Sequence, residues 1–326
     1  MKKALIYSTA VCAVSWIAAL VFHLVTGYNG LNMSDLKALT AFQTFCTGYM
    51  FLPLLVAVVM QMILGEAKWV RKHKLRFRLS TASNPIFTFR WHKSMLAAVG
   101  VTLLLVALSI LFSAPFAEVV SMKDGILASL ANSGVDLSTL PEEELAKVYA
   151  LPSWVMLLAT VVSGLLAGLT INSLFALGEE YGWRGYMVTA LKGEKFLPAA
   201  LLIGTVWGIW HAPLILMGHN GYPNRPLGIV MMVIFCILGG IVELYFVLKS
   251  GSVWPAVFIH GTINALAGLG VLMIPGGNSF LTGMTGIAGF MAFAVVILGI
   301  YIYDRHISHE RILSRPILEN NRIESI

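Results

Sequence analysis

Eight apolar runs, each about as long as a bilayer is thick, recur along this 326-residue sequence. They lie near 4–26, 38–64, 94–117, 152–177, 197–217, 227–248, 253–274 and 283–303. A helix needs about 20 apolar residues to cross the hydrocarbon core. Composition points the same way. The chain is 58% hydrophobic and 12% charged, whereas a soluble domain carries about 25% charged residues. That excess is too large for one globular core. The expected fold class is all-α, a polytopic membrane protein with eight transmembrane helices. Lys2 and Lys3 precede the first run, as in a signal peptide. The run is longer than a typical signal core and no clear small-residue cleavage site follows, so it is read as a retained span.

Charge orients the bundle. With the N-terminus in the cytoplasm, inside segments hold 18 of the 22 Lys and Arg residues. Outside segments hold Lys37, Lys123, Lys147 and Arg225. This is the positive-inside bias, and it sets both termini in the cytoplasm. The expected location is the cell membrane, as a multi-pass protein of bacterial plasma-membrane type. A basic loop at 65–93, with Lys68, Arg71, Lys72, Lys74, Arg76 and Arg78, suits anionic headgroups. Membrane lipids are therefore expected partners and nucleic acid is not. An acidic outer loop at 118–151 carries Glu118, Asp124, Asp136 and Glu142–Glu144. Cys12, Cys46 and Cys236 sit in apolar runs without CxxC spacing, which reads as core packing rather than disulfides or structural zinc. The organisation expected is a three-span region with its two loops (1–150), a four-span core (152–274), and a last span with a basic tail (275–326).

Ionisable groups inside spans are costly, so the few present are functional candidates. Glu179, Glu180, Arg184, His211, Glu243, His260 and Asn264 all fall between 179 and 264. Glu180 and Arg184 are one helical turn apart and suited to pair. Adjacent Glu179 points about 100° away, so the two carboxylates can serve different ends. The packing alternative is a solvated ion pair at a helix end. Trp207 and His211 share a face, and Pro213 can kink their helix. A lone membrane histidine is otherwise interhelical glue. His260 and Asn264 share a face of the seventh span, and both can donate to a developing oxyanion. Glu243 reads as a structural partner of Arg184 or Lys249.

One carboxylate, two imidazoles and an amide suit activation of water, the carboxylate taking its proton and later giving it to a leaving amine. Glu179, His211 and His260 also resemble a zinc ligand set, though the chain lacks H-E-x-x-H. Paired-aspartate chemistry is excluded, because no Asp lies deep in a span. Ser163 lacks the flanking glycine pattern of an intramembrane serine nucleophile. Buried Glu and His also build ion paths, which leaves a proton- or ion-coupled transporter open. No broken or repeated half-helices are evident in the two halves, which counts against it. A non-catalytic membrane partner or immunity protein is a third reading.

Three motifs in order, Glu179-Glu-x-x-x-Arg184, Trp207-x-x-x-His211 and His260-x-x-x-Asn264, resemble those of the CPBP (Abi) family of intramembrane proteases, which includes the type II CAAX prenyl endopeptidases. The likeness covers roughly 152–270. Gly185-Tyr186 continues the first motif as in the family, whereas Trp207 stands where Phe is common. The resemblance implies an intramembrane endopeptidase acting on a membrane-associated, prenylated CAAX-like peptide or protein. It implies Glu179 and His211 as water activators, His260 and Asn264 as the oxyanion hole, and Glu180, Arg184 and Trp207 as support. A metal-free mechanism is favoured; zinc held by Glu179, His211 and His260 is the alternative. Oligomeric state is not readable. Helical rise places His211 about 21 Å into its span and His260 about 10 Å into its own. For the two to meet, the fifth helix must enter the bilayer later than 197, with 195–202 in a vestibule.

Overall fold

A computed structural model describes residues 1–30, 35–64, 89, 91–132 and 134–318, apart from the side chains of 144, 145 and 147. The basic loop falls almost wholly outside them, as does Arg322 of the tail. Among the described residues, seven candidate spans run Lys2–Thr26, Leu36–Ile63, Ser94–Ser113, Phe196–Leu216, Arg225–Ser250, Trp254–Met273 and Ile287–Ile307. The remaining one is a bent pair, Ser153–Leu169 with Ile171–Ala190, turned by 46°. The architecture is all-α and multi-pass, with no strand among the described residues.

Local chemistry sets several helix ends. Helix α1 (Lys2–Thr26) stops at Gly27, whose φ of 67° suits glycine. Helix α2 (Leu36–Tyr49) starts under Asp35, which accepts from the Ala38 amide at 3.0 Å. It hands over to α3 (Leu52–Ile63), completing the second span. Helix α4 (Ser94–Ser113) follows. The acidic loop folds into two short helices, α5 (Met122–Asn132) and α6 (Glu142–Ala150).

The fourth span departs from the expectation of one helix over 152–177. Helix α7 (Ser153–Leu169) breaks at Thr170, with φ −119° and ψ −91°, and α8 (Ile171–Glu180) sets off on a new axis. Ser173 Oγ donates to the Gly168 carbonyl at 2.7 Å, satisfying an acceptor that the break frees. Gly168 packs against Thr262, where a Cβ would lie 2.9 Å from its hydroxyl oxygen. Helix α8 does not end before the glutamates. It runs through a π-helical turn (Tyr181–Tyr186) into α9 (Met187–Ala190). The glutamates therefore lie inside a half-helix, and a broken span exists that the sequence did not reveal. π-turns inside helices frequently mark functional sites.

Helix α10 (Phe196–Trp210) and the short α11 (Ala212–Leu216) make the fifth span, with a break at His211 beside Pro213. The helix starts at Phe196. Helix α12 (Arg225–Ser250) is capped by Asn224 and ends at Gly251. Gly204 and Gly208, one turn apart on α10, admit α12 closely; a Cβ on Gly204 would meet the Cys236 carbonyl oxygen at 2.8 Å. Small residues let membrane helices approach in this way. Helix α13 (Trp254–Met273) packs against α4, α7 and α8, and α14 (Ile287–Ile302) against α4 and α12. One hydrophobic core extends from Ala4 to Ile317.

Candidate active site

Four elements converge on a buried polar cluster: the end of α8 with its π-turn, α10, α12 and α13. Glu179 and Glu180 end α8, and both are buried. The turn between neighbours aims them apart, as the helical angle requires. Glu180 Oε1 accepts from Arg184 Nη1 at 3.0 Å and from His260 Nδ1 at 2.8 Å. Arg184, wholly buried, also pairs with Glu243 from α12. One guanidinium thus sits between two carboxylates, which suits its forked donors. Lys249, the other partner considered for Glu243, pairs instead with Glu310 at 2.6 Å.

Glu179 has a different environment. Its Oε2 accepts from Trp207 Nε1 at 2.6 Å and from Trp183 Nε1 at 3.4 Å. Its Oε1 lies 4.0 Å from His260 Nε2. His260 therefore has its two ring nitrogens on two carboxylates, Nδ1 held by Glu180 and Nε2 turned toward Glu179. A carboxylate on the far nitrogen fixes tautomer and ring orientation. The Trp207 indole lies against both imidazoles, 5.4 Å from His260 and 5.9 Å from His211 between centroids. Arg184 stacks on the same indole at 4.3 Å.

Of the four residues expected to do chemistry, Glu179 and His260 meet. His211 does not reach them directly. Its Nδ1 donates to the Trp207 carbonyl at 2.9 Å and lies 3.9 Å from Cys236 Sγ. Depth explains this. His211 is 15 residues into its span from Phe196, about 22 Å, while Trp207 is about 16 Å in. The imidazole lies one turn along the chain from Trp207, the residue that meets Glu179, and stacks near His219 of the following loop, 6.4 Å away at 16°. Asn264 lies one turn past His260 on an exposed part of α13 and has no hydrogen-bond partner among the described residues. The expected support residues Glu180, Arg184 and Trp207 all lie in the cluster. Trp183 was missed as a donor to Glu179, although its i,i+4 spacing from that residue was readable.

Donor chemistry bears on the metal question. Among the described residues, Glu180, Glu243 and His260 bring ligand atoms within 4.8 Å of one another. The set read from sequence, Glu179, His211 and His260, does not come that close. Both glutamates of the tight set already pair with Arg184. A dication there would share a buried site with a fixed guanidinium, and like charges at that range repel strongly. These residues do not fit a metal while Arg184 stays in place.

Residues 151–266, the stretch that supplies every member of this cluster, match the family described as Type II CAAX prenyl endopeptidase Rce1-like. Over that stretch the chain is similar to the CPBP family. A curated relative, CAAX prenyl protease 2 of Methanococcus maripaludis, is 30% identical over 146 residues, covering 43% of this chain and 50% of that protein. The chain thus spans about half the length of the curated relative it matches. The matched segment ends within α13, so α1–α4 and α14 lie outside it. Several of their side chains nonetheless pack against it. Tyr7 packs edge-on to Trp183, Tyr49 donates to the Trp210 carbonyl at 3.0 Å, and Ser15 accepts from Trp210 Nε1 at 2.8 Å.

Proposed function

We propose that this chain is an intramembrane endopeptidase that hydrolyses a peptide bond of a membrane-associated, prenylated CAAX-like substrate. The observation that carries the reading is the facing pair Glu179 Oε1 and His260 Nε2, 4.0 Å apart and both buried inside a membrane bundle. That separation is short enough for one water to bridge both atoms. Glu179 takes its proton as the oxygen attacks the scissile carbonyl, and returns it to the leaving amine as the C–N bond breaks. His260, aligned by Glu180, orients that water and then donates to the oxyanion. Asn264, unpartnered one turn along α13, is assigned to the same oxygen. His211, with Nδ1 committed to a backbone carbonyl, keeps Nε2 for a share in holding the water. Arg184 supplies the fixed positive charge, and no metal is required. Similarity to the CAAX prenyl protease 2 of M. maripaludis, together with the family match, supports the prenylated substrate.

The broken fourth span favours one other reading, since discontinuous helices also build transport sites. Reconstitution separates the two. Purified protein in nanodiscs, given a farnesylated CAAX peptide in ¹⁸O-water, is expected to release the terminal tripeptide and place one ¹⁸O in the new carboxylate. An unprenylated peptide is expected to be cut far more slowly. No cleavage of either peptide, with ion flux in liposomes that depends on Glu179, would replace this reading by the transport one.

A further inference from the structure

Trp207 touches more of the cluster than any of the charged groups does. Its N–H meets Glu179 at 2.6 Å, its ring carries the Arg184 guanidinium at 4.3 Å, and both imidazoles lie against it. It is 3% exposed, so neither the bond nor the stack competes with bulk water. A phenylalanine at this position would keep the ring and lose the donor. We propose that Trp207 is a positioning residue that decides which oxygen of Glu179 acts as the base.

Both indole donors converge on Oε2. That oxygen has its lone pairs engaged, and the carboxylate is locked in rotation. Oε1 is left facing His260 Nε2. A carboxylate without this cradle is free to rotate and to share its lone pairs between two directions. The cradle is itself polarised. A guanidinium over an indole face draws on the ring's negative quadrupole, which makes the N–H a stronger donor. Arg184 is fixed there by Glu180 and Glu243. The order of dependence is two carboxylates, then Arg184, then Trp207, then Glu179. Charge-assisted hydrogen bonds of this kind are roughly twice as strong as neutral ones.

The inference rests on Glu179 acting as the base, so the test includes Glu179→Gln beside Trp207→Phe and Trp183→Phe. Steady-state cleavage of a farnesylated peptide is expected to show kcat for Trp207→Phe lowered about 10- to 100-fold, the span of one hydrogen bond to a charged group. KM is expected to stay within about twofold, and Trp183→Phe, with the longer bond, to lose less. Full activity in Glu179→Gln would sink the base assignment itself. An inactive Glu179→Gln with unchanged kcat in Trp207→Phe would sink only the positioning role, and a rise in KM alone would do the same. Should Trp207→Phe fail to fold, the ¹⁵N-indole resonance of Trp207 decides. It is expected downfield in the wild type and displaced upfield in Glu179→Gln. A resonance indifferent to that substitution overturns the proposal.

Discussion

Arg184 carries the electrostatics of the cluster on one side chain. It is wholly buried between Glu180 and Glu243, and its Nε has no hydrogen-bond partner among the described residues. Breaking a buried pair strands the remaining charge, at a cost of about 3–5 kcal/mol. Arg184→Leu strands two carboxylates and is expected to lower the thermal midpoint strongly, followed by tryptophan fluorescence in detergent. Adding Glu243→Leu removes one stranded charge and is expected to recover part of the loss. A double variant no more stable than Arg184→Leu would contradict this reading of the triad. Glu180 with Arg184 was legible in the sequence because i,i+4 spacing within one helix fixes the pairing. The Trp207 bond to Glu179 was not, because nothing local sets the rotational phase of α10 against α8. The same limit applies to His211 and His260, whose depths depend on where each span begins.

At the scale of helices, the glycines of α10 do what hydrophobicity cannot do in lipid. Without Cβ atoms at Gly204 and Gly208, α10 lies close enough to α12 to present Trp207 to the cluster that Glu243 completes. Gly204→Val places two methyls where the Cys236 carbonyl and the Ile237 backbone now sit. It is expected to lower both thermal stability and peptide cleavage by about tenfold or more, as overpacking costs about 1–3 kcal/mol. Unchanged cleavage would show that this contact does not set the site. The eight apolar runs were readable because length and hydropathy declare a span. The break at Thr170 was not, because α7 and α8 bend around α13, far away in the chain, with Gly168 packed against Thr262. The π-turn was equally hidden, although the first motif occupies its start.

Taken as a molecule, the protein is a membrane bundle in which the family-matched segment forms the polar cluster and spans outside it pack against that cluster's tryptophans. Tyr7, Ser15 and Tyr49 all press on the two tryptophans that border Glu179 and His211. That division was invisible in the motifs, since α1–α4 carry none of them. The account stands or falls on Glu179 as the group that takes a proton from water. The most direct test compares wild type and Glu179→Gln, matched for amount and thermal midpoint, on a farnesylated peptide in nanodiscs. Loss of a general base predicts a fall in kcat of about 100-fold or more with both proteins equally folded. Equal rates of cleavage from the two would contradict it.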